Sequence, residues 1–162
     1  MKKKVLFLCT GNSARSQMAE AILNSNGTNK FTACSAGTNP TDKINPLAVK
    51  AMARVGIDIS SNKPKSVNQF INEDFDFIIT LCDKGKEQCI NFTGMPIFAH
   101  WGLPDPAGFE GTELEKLRQF DEILKQLITR INLFINLPME KLDRLSLEAR
   151  TKDIAQCPLN DK

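Results

Sequence analysis

The stretch VLFLCTGNSARSQMAE, residues 5–20, joins an apolar run to a polar loop and then to a helical pattern. Residues 5–8 are typical of a buried strand, and residues 16 to about 24 are typical of a helix. The loop between them starts at Cys9 and ends at Arg15. A loop of small residues in this position can fold its N–H groups around an anion, so the stretch predicts a binding turn at the edge of a sheet.

Strands and helices alternate along the rest of the chain. Apolar runs at residues 31–35, 75–81 and 95–100 predict three further strands. Asn45 and Pro46 are typical of a helix start, Gly56 of a helix end, and Thr112 of the start of a longer helix. This order predicts an α/β fold, a three-layer doubly wound domain with a four-stranded parallel sheet.

Length and composition limit the function classes. A chain of 162 residues and 18.1 kDa can form one domain with its own core. We expect that domain at residues 1–138 and a polar C-terminal extension at 139–162, which packs as a short helix through Leu142, Leu145 and Leu147 or frays. The net charge of +2 argues against a nucleic-acid or membrane partner. No run reaches the ~18 apolar residues of a membrane span, and the first apolar run is too short for a signal peptide, so we expect a cytoplasmic protein.

The loop after Cys9 has the chemistry of an oxyanion cradle with a nucleophile at its floor. Its N–H groups and the start of the next helix would bind a tetrahedral oxyanion, and Arg15 would supply a planar fork. The candidate binding residues are Thr10, Gly11, Asn12, Ser13, Ala14 and Ser16. The same positive surroundings are expected to lower the pKa of Cys9 and favour its thiolate. The alternative is a buried cysteine at a strand end, followed by an ordinary capped helix.

A nucleophile that attacks an oxyanion needs a proton donor for the departing oxygen. Asp105 lies between two prolines in HWGLPDPAG, on a stiff loop after a predicted strand, and is the candidate acid. An ordinary polar turn is the alternative, because this composition favours turns regardless of function. His100 is expected to pack at the strand end. The ends of three predicted strands would bring Cys9, Cys82 and the loop 101–108 to one edge of the sheet.

Five cysteines, an odd number in a chain that can build its own core, argue against a structural disulfide framework. Cys34 and Cys157 are expected to be bystanders. If Cys82 and Cys89 reach Cys9, thiol–disulfide exchange could pass oxidation from Cys9 to Cys82 and then to Cys89. Inert, packed cysteines are an equally open alternative. No metal site is predicted, because the closely spaced cysteine pairs of zinc sites are missing.

Several spaced motifs resemble one family. CTGNSARSQMAE resembles the active-site loop shared by low-molecular-weight protein tyrosine phosphatases and by the arsenate reductases built on the same fold. SAGTNP, NPLAVKAMARVGIDIS, TLCDKGKEQC and HWGLPDPAG resemble the arsenate reductases, and the similarity extends from about residue 4 to 136. Cys82 and Cys89 match the relay pair of the thioredoxin-coupled type. Ala107 and Gly108 stand where such phosphatases carry aromatic residues, which implies a small substrate pocket.

The resemblance implies reduction of arsenate to arsenite, for arsenic detoxification. Cys9 would attack arsenate, Arg15 and the loop would hold it, and Asp105 would protonate the leaving oxygen. Cys82 would release arsenite by forming a disulfide with Cys9. Cys89 would then displace Cys9 by exchange and form a disulfide with Cys82. Thioredoxin, glutaredoxin or another thiol system would be the external reductant, and no tightly bound cofactor is implied.

Some members of the family bind potassium beside the loop. The matching positions here are Asn12, Glu20 and Ser35, but Lys65 falls at the remaining acidic position. We expect the lysine to replace the cation.

Two other functions suit the same residues. The first is a low-molecular-weight protein tyrosine phosphatase that hydrolyses phosphotyrosine or small phosphate esters through a Cys9 phosphoenzyme, since arsenate and phosphate are nearly isosteric. The second is an oxyanion or redox sensor without turnover, which would leave Asp105 with little to do.

Overall fold

The computed structural model describes residues 2–82 and 92–156. Strands β1 (Lys3–Cys9), β2 (Phe31–Gly37), β3 (Phe77–Thr80) and β4 (Ile97–His100) form one parallel sheet in the order β2-β1-β3-β4. The α-helices within the described residues are α1 (Arg15–Asn26), α2 (Pro46–Arg54), α3 (Glu113–Ile135) and α4 (Arg144–Asp153). In the same part of the chain, short 3-10 helices cover Val67–Gln69, Pro106–Gly108 and Ile154–Gln156. The predicted α/β fold with a four-stranded parallel sheet is confirmed.

Both faces of the sheet are buried at β1, an inner strand. Val5 and Phe7 point into the large core beneath the helices, whereas Leu6 and Leu8 point into a smaller cluster around Val67. All four of these β1 side chains are at most 3% exposed. Because both faces are covered, β1 is a continuous apolar run and not an alternating one.

The helix starts show how α1 differs from the others. The side chains of Asn45, Thr112 and Asp143 accept hydrogen bonds from first-turn N–H groups of α2, α3 and α4. At the start of α1, Ala14 provides no such cap. The first N–H groups of α1 therefore have no acceptor on the residue that caps the helix, and they carry the positive end of the helix dipole.

The segment after residue 138 packs on the same core. Leu147 and Ile154 are buried, and Leu142 packs against the core as a half-buried side chain. Leu145, expected to pack with them, is 77% exposed. Side chains two positions apart on a helix point in nearly opposite directions, so Leu145 and Leu147 cannot share one face. None of the described helices combines the length and the apolar composition that crossing a bilayer requires.

Candidate active site

The carboxyl ends of β1 and β3 and the loop after β4 meet around one cavity of about 470 Å³. It is lined by residues 9–15, Thr41, Cys82, residues 103–105 and Ala107. The structure thus brings together Cys9, Arg15, Cys82 and Asp105, as the sequence led us to expect. Cys89 lies outside the described residues, as does Cys157.

Asn12 fixes the curvature of the loop. Its φ of 50° is the only positive value among the described non-glycine residues, and asparagine tolerates this conformation better than most. The fully buried side chain donates to Ser16 Oγ at 2.8 Å. Its Oδ1 accepts from Gln17 Nε2 and from the Lys65 backbone N–H, each at 2.8 Å. These bonds tie the loop to α1 and to a segment distant in sequence.

The turn after β2 holds the carbonyl side of the loop. Backbone N–H groups of residues 38, 39 and 41 donate to the carbonyls of Cys9, Thr10 and Gly11 at 3.2, 2.9 and 3.0 Å. In a trans peptide, the N–H that follows a carbonyl points the opposite way. Holding these carbonyls outward therefore turns the next N–H groups toward the cavity, where an oxyanion would lie.

Gly37 is packed too closely against the loop for a side chain. A Cβ there would lie 2.5 Å from the Thr10 carbonyl oxygen and 3.0 Å from the Asn12 nitrogen. We expect Gly37→Ala to lower the free energy of unfolding by about 1–3 kcal/mol and to weaken phosphate binding. Urea unfolding and phosphate titration measure both effects. Gly108→Ala, whose Cβ would be 4.0 Å from Asp105 Oδ2, is the stability control, and equal stability of the two variants would contradict the packing argument.

Arg15 is aimed across the cavity by the loop that follows β4. Its side chain is largely buried, and Nη1 donates to the Leu103 carbonyl at 2.9 Å. Nη2 lies 3.8 Å from Asp105 Oδ1. Asp105 stands at the rim with its side chain 57% exposed, and its Oδ1 accepts from the Ala107 N–H at 3.0 Å. One guanidinium, at the end of the cradle, therefore contacts the loop after β4 at two points, one of which is the candidate acid.

Cys9 and Cys82 form a buried thiol pair. Both residues are at most 5% exposed and neither is in a disulfide. Thr10 Oγ1 lies 3.3 Å from Cys82 Sγ. A hydrogen bond with Cys82 and burial raise the pKa of Cys9, while Arg15 and the Thr10 N–H act to lower it. The net direction is upward, so the expectation of a lowered pKa was wrong, because it took account of the positive surroundings of Cys9 but not of its hydrogen bond with Cys82 or its burial.

Removing the second thiol should lower the pKa of Cys9. In Cys82→Ala, the hydrogen bond and the negative charge that raise this pKa are lost, while Arg15 and the Thr10 N–H remain. Below the pKa, each unit of decrease raises the thiolate fraction about tenfold, so alkylation of Cys9 by iodoacetamide should accelerate at neutral pH. Mass spectrometry of the Cys9 peptide across a pH series measures the rate. Cys34→Ala is the control, and an unchanged pH profile in Cys82→Ala would contradict the coupling of the two thiols.

Lys65 supports the back of the cradle. Its Nζ lies 3.5 Å from both Glu20 Oε1 and Ser35 Oγ, at the positions that the sequence resemblance matched to a potassium site. Burial raises the pKa of Glu20, and the charge of Lys65 partly opposes that shift. Within residues 2–82 and 92–156, no three His, Cys, Asp or Glu side chains are placed to hold a metal ion. Replacement of the cation by Lys65 stays a prediction.

Loss of the lysine should destabilise the protein in a pH-dependent way. The folded state holds the Glu20 proton more tightly than the unfolded chain does, so stability falls as pH rises through the raised pKa. In Lys65→Met that pKa rises further, and we expect a loss of about 1–2 kcal/mol near neutral pH and less at about pH 4. Urea unfolding at both values, with the exposed Lys63→Met as control, tests this. A loss independent of pH would show that Glu20 is not the group involved.

Some site residues were missed from the sequence. Gln17 and Thr41 were not singled out, and the backbone bond from Lys65 to Asn12 was not foreseen, because these contacts form where segments distant in sequence meet. The one available signal was the polar Gln17 in the predicted helix directly after the loop, and the structure shows that this side chain is fully buried. His100 is half-buried, and its Nδ1 lies 2.6 Å from Thr80 Oγ1 on the neighbouring strand.

Comparison with known proteins gives a consistent result. Residues 4–144 match the family described as low molecular weight phosphotyrosine protein phosphatase. An arsenate reductase of Bacillus licheniformis is 40% identical over 133 residues, which cover 82% of this chain and 95% of the relative.

Solved structures show the same relationship. An arsenate reductase in the phosphate binding state superposes with a TM-score of 0.71 and 34% identity, covering 82% of this chain and 96% of that one. A thioredoxin-dependent arsenate reductase of Corynebacterium glutamicum gives a TM-score of 0.55 and 26% identity, covering 82% of this chain and 62% of that one.

Proposed function

Because this chain belongs to the low molecular weight phosphotyrosine protein phosphatase family and is similar there to arsenate reductases, we propose that it reduces arsenate to arsenite with Cys9 as nucleophile. The observation that carries the proposal is the second buried thiol, Cys82, in the same cavity. Phosphoryl transfer needs one thiol. Reduction of arsenic by two electrons needs two, because two thiols become one disulfide.

The first step is displacement at arsenic. Arsenate binds with its oxygens toward the N–H groups of the loop and the fork of Arg15. Cys9 Sγ forms a bond to arsenic while an As–O bond breaks, and Asp105 at the rim protonates the departing oxygen. Since Cys82 and burial raise the pKa of Cys9, its proton must leave first, and an arsenate oxygen in the cradle is an acceptor for it.

The second step is reduction. Cys82 Sγ attacks Cys9 Sγ, and the electron pair of the S–As bond stays on arsenic, which leaves as arsenite. The product is a disulfide between Cys9 and Cys82. The Thr10 hydroxyl, 3.3 Å from Cys82 Sγ, holds the attacking sulfur next to the residue it attacks.

The third step returns the enzyme to its reduced form. Cys89 displaces Cys9 from Cys82 by exchange, and an external thiol system reduces the resulting disulfide. Thioredoxin is the leading candidate because the Corynebacterium glutamicum relative is named as thioredoxin-dependent, and glutaredoxin is the alternative. We place the reaction in the cytoplasm, where thiols such as Cys9, Cys34 and Cys82 stay reduced.

A phosphatase activity is the second candidate. The cradle suits phosphate as well as arsenate, and a similar arsenate reductase is known in a phosphate binding state. The exposed rim residue Ala107 offers no aromatic surface to grip a phosphotyrosine ring. Small phosphate esters therefore fit this site better than phosphotyrosine peptides.

Arsenite release by the purified protein tests the proposal. The assay uses arsenate with thioredoxin, thioredoxin reductase and NADPH, beside a glutaredoxin–glutathione arm, an arm without reductant and a Cys9→Ser blank. Continued arsenite release that depends on one reductant supports the reductase and identifies its partner. Rapid hydrolysis of p-nitrophenyl phosphate with no arsenite in any arm would overturn it in favour of the phosphatase.

A further inference from the structure

The loop that carries Asp105 is held by residues beyond the family match. That match ends at residue 144, where α4 begins. Trp101, which opens the loop, is fully buried, and its Nε1 donates to the Thr151 carbonyl on α4 at 2.9 Å. The Thr151 side chain is also fully buried and donates to the Leu147 carbonyl at 2.6 Å.

Arg130 on α3 makes a second link between the loop and the C-terminal segment. Its Nη1 donates to the Trp101 carbonyl at 3.0 Å and lies 3.4 Å from the Gly102 carbonyl. Its Nη2 donates to the Ala155 carbonyl at 3.4 Å. Arg130 is 7% exposed, and a buried guanidinium bonded to carbonyls on two segments fixes their separation.

The held loop leads directly into the site. Leu103, two residues after Trp101, supplies the carbonyl that binds Arg15 Nη1 at 2.9 Å. The Leu103 N–H donates to the Leu81 carbonyl at 2.9 Å, next to Cys82. A shift at Trp101 would therefore move the Leu103 carbonyl, which orients Arg15. It would also move Asp105, which follows Leu103 in the loop.

We infer that α4 and the turn at Ile154–Gln156 position the catalytic loop through Trp101 and Arg130, and so set the orientation of Arg15 and Asp105. Trp101 and Arg130 are positioning residues, since neither lines the cavity. A role in the core alone would affect unfolding but not the affinity of the cradle for anions. The inference rests on the proposed function for its catalytic consequence, but anion binding tests it separately.

Four variants of the full chain separate positioning from stability. Arg130→Met removes the hydrogen bonds to the Trp101 and Ala155 carbonyls, and Arg130→Lys keeps one charged donor. Ile154→Ala loosens the buried turn at a residue that lies outside the loop. Leu145→Ala, at a side chain of α4 that is 77% exposed, is the matched control.

Three measurements are made below the unfolding midpoint of every variant. Calorimetric titration gives the affinity for inorganic phosphate, hydrolysis of p-nitrophenyl phosphate gives kcat and KM, and fluorescence reports on Trp101, the only tryptophan. We expect Arg130→Met and Ile154→Ala to bind phosphate about fivefold to tenfold more weakly. The kcat should fall about tenfold, with red-shifted emission, because small misplacements of catalytic groups are costly. Arg130→Lys should be intermediate and Leu145→Ala unchanged.

Two results would overturn the inference. One is wild-type phosphate affinity in Arg130→Met and Ile154→Ala despite lower unfolding midpoints, which would restrict α4 to a role in the core. The other is a wild-type protein that binds no phosphate, which would leave no anion site to position. A wild-type protein that binds phosphate but releases no arsenite refutes only the proposed function, and the comparison of variants still stands.

Discussion

Replacing Cys82 with serine should end catalytic arsenate reduction after a single turnover at most. Serine cannot form the disulfide that leaves the electron pair on arsenic, so the Cys9 adduct has no intramolecular route to arsenite. Hydrolysis of p-nitrophenyl phosphate should survive, because it needs Cys9 and the cradle but no second sulfur. The number of arsenite molecules released per protein molecule, with thioredoxin as reductant, measures the effect.

Cys34→Ser is the matched control for the loss of a thiol. Cys34 lies on β2 and is not among the residues that line the cavity, so its replacement should leave arsenate turnover unchanged. Wild-type arsenate turnover in Cys82→Ser would contradict the relay and would require another electron donor.

Arg15→Lys should lower kcat/KM for arsenate by about 10²–10³-fold. Lysine keeps the charge but loses the planar fork, so it cannot bind the Leu103 carbonyl and two substrate oxygens in the same geometry. The same variant should also bind phosphate more weakly, which titration measures independently of turnover.

Arg54→Lys is the control for this exchange. Arg54 pairs with Asp121 at 2.9 Å on the surface, far along the chain from the cradle, and its replacement should leave kcat/KM unchanged. A loss in Arg15→Lys no greater than tenfold would show that charge alone, and not the fork, holds the anion.

The first half of the site could be predicted from a few adjacent residues. Cys9, Arg15 and the loop between them follow from one strand, one turn and one helix start, and these are local features. Asp105 could be proposed because two prolines limit its loop and a strand precedes it. Such features need no knowledge of which distant segments meet.

The remainder depended on long-range packing. Lys65 reaches Asn12 through its backbone N–H, a contact that any residue type could make and that no side-chain pattern reveals. The upward shift in the pKa of Cys9 comes first from its hydrogen bond with Cys82 and then from burial, and both depend on the packing of β1 beside β3. The predicted strand at residues 75–81 was too long, because β3 covers only Phe77–Thr80. Beyond β3, the Leu81 carbonyl accepts a hydrogen bond from the loop after β4, and Cys82 lines the cavity.

The long-range ties of the cradle also determine when it can form as the chain folds. The bonds that shape it join residues 53, 72 and 88 positions apart, from Asn12 to Lys65, from Thr10 to Cys82 and from Arg15 to Leu103. Closing such long loops costs entropy that is recovered only when the sheet is complete. In a half-folded chain, Cys9 is therefore present, but Arg15 is not yet oriented and Cys82 does not yet lie beside Cys9. During refolding, oxyanion binding and arsenate reduction should therefore appear together with the complete tertiary structure and never ahead of it.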